Sequence, residues 1–432
     1  MTARQDAKKQ HKALNRRRRN AQERQQRQQR QAQRDIEALR HALDDLGFPD
    51  NLVIEIAGRL RAQKKLRGTI FGLMFPTLFG CRSAYALSCV RGWDKPLPSH
   101  LLSALPKRSW LTRLRTRAQD ILVPLWRRVE SMRPATQSRW QWTWVWDDAV
   151  LRKYGQDFAL VGTWYRGQHK RVVSGIDGVL LLVVMGDGTL VVPVDFAVRR
   201  PDPTGPGARC RNKRAWAQVR LDQHLAALTR RGLRLPAPLA AAESWLSDSK
   251  LMRHVSDTQQ GTLLVQGTSS YAFPFADGQK VKGADLITGD QWPWRHRLQA
   301  PGCRSARLRA NRATYGAVTL LLVDKDGEDR FDVCCLASEM PATRFLHVWS
   351  RRTLIEQVFR VLKHLLATDA GPVHSEDASY GHLVLRLMAS FVLYYTSRVL
   401  CKGRVTMDEM LFTVKHHWSS VNCQDLELYG IA

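Results

Sequence analysis

At Gln141 the chain stops repeating with the period of a helix and turns to alternating and then continuous apolar runs. These are Trp142 to Trp146, Val172 to Val184 and Leu190 to Phe196, the last two joined by Gly186-Asp187-Gly188. Apolar runs bounded by glycine turns are strand and hairpin signals. A helical stretch from about Asn212 to Arg231 follows and is closed by Gly232. Then come a short apolar run at Pro238 to Ala242, a helix near Ser247 to Val255 and a strand at Thr262 to Gln266. Three strands, a helix, a strand, a helix and a strand make an α/β layer plan.

The flanks read differently. From Asp35 to about Ser138 the period is helical, with Ile36, Leu39, Leu43 and Leu46 on one stripe and Leu111, Leu114, Ile121, Leu122 and Leu125 on another. Gly47-Phe48-Pro49, Gly92 to Pro96 and Arg133-Pro134 mark the expected helix boundaries. After Gln266 the chain is rich in Gly, Trp and Arg to about Met340, with strands expected at Ala317 to Asp324 and Arg330 to Ala337 around Asp326-Gly327. From Thr343 to about Trp418 the period is helical again, broken at Gly371-Pro372. The apolar stretch Gly381 to Leu400 is interrupted by His382, Arg386 and Arg398, so it reads as a buried helix rather than a membrane span.

Charge points to a partner. Lys and Arg number 67 against 39 Asp and Glu, a formal net charge of +28, which calls for a polyanion. Residues 1 to 40 hold 13 basic residues against four acids, so the remaining chain keeps about +19 and must be basic on its folded surface too. Eight cysteines without a CxxC pair read as reduced thiols. The chain opens on polar and basic residues rather than on the apolar core of a secretory signal, and a cytoplasmic, nucleoid-associated location is expected.

Carboxylates stand at three places that the layer plan brings near one another. Asp147 and Asp148 close the first strand, Glu243 closes the fourth, and Glu356 lies on the helix after the β-rich segment. Oxygen ligands suit hard divalent cations, and shared carboxylates can bridge a pair of them for phosphodiester chemistry. With Arg352 at 0° and about 100° per residue, Glu356 falls near 40° and Lys363 near 20°. Leu354, Val358, Val361 and Leu365 gather at roughly 180° to 240°, so an apolar stripe is expected opposite the charged one.

The stretch Trp349-Ser-Arg-Arg352-Thr-Leu-Ile-Glu356, continuing through Phe359-Arg360 to Lys363, resembles the signature of DDE transposases of bacterial insertion-sequence family four. That signature is Tyr, two residues, Arg, three residues, Glu, six residues, Lys; Arg352, Glu356 and Lys363 match it and Trp349 replaces the Tyr. Trp146 to Gly155 resembles the family's first-aspartate segment, with Asp148 the better match to the catalytic carboxylate, Asp147 the other choice, Ala149 where Thr or Ser is usual, and Lys153 following. Ala241-Ala242-Glu243-Ser244-Trp245 resembles the second-aspartate segment, with Glu where the pattern has Asp.

The resemblance spans about Trp142 to Leu366 and implies a ribonuclease-H-like core carrying a β-rich insert, preceded by an all-helical domain and a basic N-terminal arm. The corresponding division is an arm at 1–34, disordered or loosely helical, and a helical DNA-binding domain at 35–140. The core follows at 141–266 and 341–370, the insert at 267–340 and a C-terminal helical region at 371–432.

By the same resemblance, Asp148, Glu243 and Glu356 are the catalytic acids and hold two Mg²⁺ or Mn²⁺ ions. The enzyme cuts transposon ends and joins the 3′-hydroxyls to target DNA, acting as a dimer on double-stranded DNA ends. Arg352, Arg360, Lys363 and Lys153 then meet phosphates, the Arg as a bidentate fork and the Lys as a point charge. Trp292 and Trp294, with Arg295 and Arg297 beside them, are candidates to hold an unstacked base. The extra methylene of Glu243 leaves open a second reading, a catalytically weakened or dead DNA-binding relative.

Overall fold

Valine and leucine crowd the segment from Gly175 to Met185, and every residue in it is buried. A strand covered on both faces lies inside a sheet with further layers on either side. The computed structural model describes residues 2–47, 63–79, 97–133, 141–152, 160–166, 171–186, 188, 190–199, 213–243, 246, 249–267, 272–275, 278–283, 285, 295–296, 304–312, 316–324, 330–336, 342–366, 368 and 375–417.

Among these the helices are α1 (Thr2–Asp45), α2 (Gln63–Met74), α3 (Leu97–Ser103), α4 (Lys107–Glu130), α5 (Lys213–Arg230), α6 (Ser249–Arg253), α7 (Ala342–Arg360), α8 (Glu376–Tyr395) and α9 (Met407–His417). Helices α6, α7 and α8 run on into π turns at His254–Thr258, Val361–Leu365 and Thr396–Leu400. The strands are β1 (Thr143–Arg152), β2 (Gly162–Arg166), β3 (Arg171–Met185), β4 (Leu190–Val198), β5 (Leu239–Ala242), β6 (Thr262–Gln266), β7 (Ala272–Pro274), β8 (Lys280–Lys282), β9 (Arg295–His296), β10 (Arg304–Arg312), β11 (Gly316–Asp324) and β12 (Arg330–Leu336). The protein is mixed α/β.

Strand β1 lies between an antiparallel β3 and a parallel β5, and β6 continues the parallel run. On its far edge β3 pairs with β2 at one end and β4 at the other, both antiparallel. The β3–β4 turn needs its glycines: Gly186 and Gly188 have φ of 58° and 80°, a region that β-carbons disfavour. The two strands expected around Asp326-Gly327 are β11 and β12, and they extend the same sheet rather than forming one of their own. Strand β12 pairs antiparallel with β6, and β11, β10 and β9 follow in order. Among the described strands only β7 and β8 stand apart, as a two-stranded ladder.

Side chains alternate across a strand, so neighbouring β1 residues report which helix covers which face. Trp142 meets Trp126 of α4 edge-on at 4.9 Å, and Trp144 lies 6.1 Å from the His224 ring of α5. Thr143, between them in sequence, accepts a hydrogen bond from Arg351 of α7 at 2.8 Å. Helices α4 and α5 therefore cover one face and α7 the other.

The chain divides into two compact units, one of Leu105–Phe391 and one of Met1–Ala104 with Val392–Ala432. These borders differ from those read from sequence. Helix α4, expected with the helical domain at 35–140, belongs to the sheet-bearing unit, because Trp110, Leu114, Leu122 and Trp126 turn its apolar face inward. Its Arg115 grips Asp195 of β4 with two hydrogen bonds, at 2.9 and 3.0 Å. The expected border at 34/35 falls inside α1, a single helix. The region expected at 371–432 is split between the units.

In the other unit Ala32, Leu39, Ala42, Leu43 and Leu46 of α1 are buried, and α1 packs on α9 and on the Thr396–Leu400 turn. Helix α9 opens on a capping box, in which Thr406 receives Glu409 N–H while the Glu409 carboxylate accepts from Thr406 N at 2.8 Å. Among the described residues Glu376–Leu400 is long and apolar enough to cross a membrane, but 78% of its apolar window is buried, the core helix expected at Gly381 to Leu400.

Asp195 ties this architecture together. It is wholly buried and accepts from Arg115 of α4 and faces His224 of α5 at 3.3 Å, with Arg220 at 3.5 Å. Burial alone would raise its carboxyl, but His224 and Arg115 outweigh burial and hold it below the usual carboxylate value. Its ionised form therefore stabilises the fold above the unfolded carboxylate pKa, and that contribution is lost as pH falls through the native one. Asp195→Asn is expected to lower stability by about 3 kcal/mol at neutral pH, with the difference shrinking in acid; urea unfolding at several pH values measures both.

Candidate active site

Asp147 and Asp148 are consecutive on β1, so the strand sends them to opposite faces. Asp148 is on the α4–α5 face, where Lys213, the first residue of α5, donates to it and also to Asp177 of β3 at 3.2 Å. Arg199 closes this cluster with an ion pair to Asp177 at 2.7 Å. Burial raises the Asp177 carboxyl despite Lys213 and Arg199. The cluster holds two carboxylates and two cations, which balances its charge.

The α7 face carries the other acid. Strand β1 pairs in parallel with β5 so that Trp146 lies beside Ala242. Continuing that register by one residue sets Glu243 beside Asp147 on the same face. Helix α7 packs on both strands. Its Arg352 donates through Nη1 to Glu243 and through Nη2 to Glu356 Oε1 at 3.0 Å. One guanidinium thus spans a carboxylate from the end of β5 and one from its own next turn.

The fork is held in place by its surroundings. Arg352 is buried, and its guanidinium carbon lies 5.0 Å from the centroid of the buried Trp349 ring, within cation–π range. The residue at 349 therefore serves as a platform for Arg352. Arg351 anchors the helix by donating from Nη1 to Gln141 O and Thr143 Oγ1, both at 2.8 Å.

These contacts rotate α7 relative to the sequence expectation. With Arg352 at 0°, the buried Val348, Arg351, Ile355 and Phe359 fall at roughly 320°, 260°, 300° and 340°. Buried Val358 and Trp349, at roughly 240° and 60°, widen this face, which is centred near 320°, meets the expected 180° to 240° only at Val358, and takes in Arg352. Counting apolar residues alone missed this, because two of the buried residues are arginines whose stems pack while their donors find oxygen.

Asp147 is the strained member. It is 7% exposed, and burial, then Glu243, then Asp148 push its carboxyl well above the ordinary value; Arg352 and the Asp148 N–H bond to Oδ1 at 2.7 Å offset this only in part. Negative charge on this face thus exceeds what Arg352 neutralises. Carboxylate oxygens in excess of nearby cations are the donor chemistry that a hard divalent ion takes, and Asp147 and Glu243 fit it. Among the described residues no three His, Cys, Asp or Glu are grouped closely enough to cage an ion, and Glu356 joins the pair through Arg352.

The sequence-derived candidates thus separate. Glu243, Glu356 and Arg352 come together; Asp148 joins the Lys213 cluster instead, and Asp147 takes its place beside Glu243. Arg360 is exposed at the end of α7, and Lys363 follows in the π turn with its ammonium 6.0 Å from the Phe359 ring centroid. Arg295 lies in β9, paired with Ser305. Lys153, Trp292, Trp294 and Arg297 lie outside the described residues. Lys213 and Arg351 were not foreseen as site neighbours, and Asp177 read from sequence only as a weak candidate; strand alternation applied to Asp147 and Asp148 would have shown that one of the two needs a partner on each face.

No protein-family model matches this chain, and no curated protein is significantly similar to it.

A carboxyl whose native pKa lies above its unfolded value stabilises the fold in acid and gives that contribution up as pH rises through the native pKa. Asp147→Asn removes this loss. The variant is expected to be more stable than wild type at neutral pH, the two converging toward about pH 4, in urea unfolding across that range. A variant that is less stable throughout would mean that the Asp147 charge is compensated.

Proposed function

We propose that this chain is a DNA transposase of the DDE type, which cuts transposon ends and joins their 3′-hydroxyls to target DNA. The observation that carries the reading is the Arg352 guanidinium joining Glu243, at the end of a parallel neighbour of the first strand, to Glu356, on a helix that follows the added strands, with Asp147 beside Glu243 in the register of the first strand. The order β4-β3-β1-β5-β6, three antiparallel strands continued by two parallel ones with helices on both faces, supports a ribonuclease-H-like core as the finer description. The strands β9 to β12, which follow β6 and precede α7 in sequence, are in keeping with the β-rich insert of that description.

In this reading Asp147, rather than Asp148, is the first acid. Asp147, Glu243 and Glu356 would hold the divalent cations, Mg²⁺ or Mn²⁺, two of them in the full site. With the ions bound, such a site activates a water or a 3′-hydroxyl and stabilises the leaving oxygen. The chain's own residues do the positioning. Arg352 orients Glu243 and Glu356 from a buried seat on Trp349. Exposed Arg360, one turn beyond Glu356, and Lys363 after it extend positive charge along the path of a DNA backbone.

The reading is tested by nicking and strand joining on labelled duplexes that carry the ends of the element encoding the chain, with Mg²⁺ or Mn²⁺. Wild type is expected to cut and join, and Asp147→Asn and Glu356→Gln are each expected to lower the rate by about 100-fold or more. Asp148→Asn is expected to act through stability rather than through the rate of folded enzyme. Cutting that survives Glu356→Gln would sink the assignment. Wild type that binds DNA but cuts only after Glu243→Asp would identify the alternative, a DNA-binding relative whose chemistry has lapsed.

A further inference from the structure

Helix α1 changes character along its length. From Ala32 onward one side is buried, through Ala32, Asp35, Leu39, Ala42, Leu43 and Leu46. From Asn15 to Gln31 every residue is exposed, a stretch of about 25 Å at 1.5 Å per residue. The buried half thus anchors an exposed helical half.

The exposed half is chemically one-sided. With Arg16 at 0°, Arg19, Arg24, Arg27, Arg30 and Arg34 fall at roughly 300°, 80°, 20°, 320° and 0°. All but Arg24 lie within about 80° of one another and form one stripe, turned about 145° from the anchored side. Arg17 and Arg18 fall off it, at roughly 100° and 200°. Glu23 is the single acid from Asn15 to Arg34, and it pairs with Arg19 at 3.1 Å. Arginines three and four apart repel one another and weaken a helix, so this stripe is complete only against an external polyanion.

The rest of the stretch narrows the partner. Ala21 is its one apolar residue, and a helix without an apolar face has nothing to insert into a lipid surface. The remaining positions are glutamine and asparagine: Asn15, Asn20, Gln22, Gln25, Gln26, Gln28, Gln29 and Gln31. Those amides pair bidentately with adenine edges, and arginine does so with guanine or phosphate. A helix about 10–12 Å across fits the B-form major groove, whereas the deep, narrow major groove of A-form RNA does not admit it.

We propose that the Asn15–Arg34 part of α1 is a major-groove probe for duplex DNA, its arginine stripe on the groove and phosphates and its amides on base edges. This deepens the DNA-processing reading and rests on it for the identity of the polyanion, but it concerns a surface on α1 and not the acids of the sheet.

The test uses the full chain and equilibrium binding to a labelled DNA duplex, its single strand, duplex RNA and anionic vesicles, over about 0.05 to 0.3 M salt. Arg16→Gln, Arg19→Gln, Arg27→Gln, Arg30→Gln and Arg34→Gln are combined in one variant, since glutamine keeps helix propensity, and helicity is checked by circular dichroism. Duplex binding is expected to have a log–log salt slope about four to five units shallower in this variant. Protection of guanine N7 from methylation, a major-groove atom, is expected to be lost, while Arg17→Gln/Arg18→Gln changes both far less. An unchanged slope, no N7 protection in wild type, or equal losses on RNA or vesicles would overturn the proposal. Strand cutting that depends on Glu356 while the slope is unchanged would leave the transposase reading standing and remove this one; the reverse pattern would do the opposite.

Discussion

Two carboxylates on consecutive residues of a strand cannot share one counterion on one face, and β1 places Asp147 and Asp148 at the centre of a sheet covered on both sides. The charged groups that flank β1 on each face answer that constraint. On the α5 side the response is balanced: Lys213 and Arg199 meet Asp148 and Asp177. On the α7 side the response is incomplete, because one guanidinium faces Asp147, Glu243 and Glu356. A fold optimised for stability alone would replace such a group by apolar residues, since buried ion pairs seldom repay their desolvation. Retained strain of this kind is what reactive sites require.

The unevenness between the faces also explains the placement of α7. Arg351 and Arg352 are adjacent, both are buried, and they do different work. Arg351 satisfies backbone and hydroxyl oxygens at the start of β1, which fixes the helix along the strand. Arg352, one residue on, is thereby carried over the end of β5, where Glu243 emerges. Trp349 holds it from beneath. The site's geometry therefore depends on the short length of β5: four residues suffice to pair with β1 and then release an acid beside Asp147.

Much of the sheet-bearing unit was legible, because it is written in local patterns. The apolar runs gave β1, β3, β4, β5 and β6 in order, and Gly232, at φ 82°, closed α5 where expected. Strand β2 was not legible, since Gly162 to Arg166 is only five residues long and owes its place to the β3 edge and to the Trp164 Nε1 bond to Gly175 O at 2.7 Å. The rotation of α7 was hidden for a related reason, in that periodicity counts arginine as solvent-facing. Asp148 was preferred to Asp147 from a motif's spelling, whereas alternation from Thr143, whose hydroxyl meets α7, assigns Asp147 to the α7 face. The unit borders were invisible because α4 is amphipathic in the same way whether it packs on helices or on β4.

The three acids of the α7 face are graded in depth, and the gradient bears on the glutamate at 243. Asp147 is nearly sealed at 7% exposure, while the side chains of Glu243 and Glu356 are 26% and 55% exposed. The acid hardest to ionise therefore lies deepest, and the acids that reach solvent are the two already shared by Arg352. In the proposed reading, a cation arriving from solvent would meet Glu356 and Glu243 before Asp147, and would compete with the guanidinium at the entrance. The extra methylene of Glu243 has a use in that order. It lets a residue fixed at the end of β5 reach out to the guanidinium, where an aspartate at the same backbone position would stay closer to Asp147 and deepen the repulsion already there.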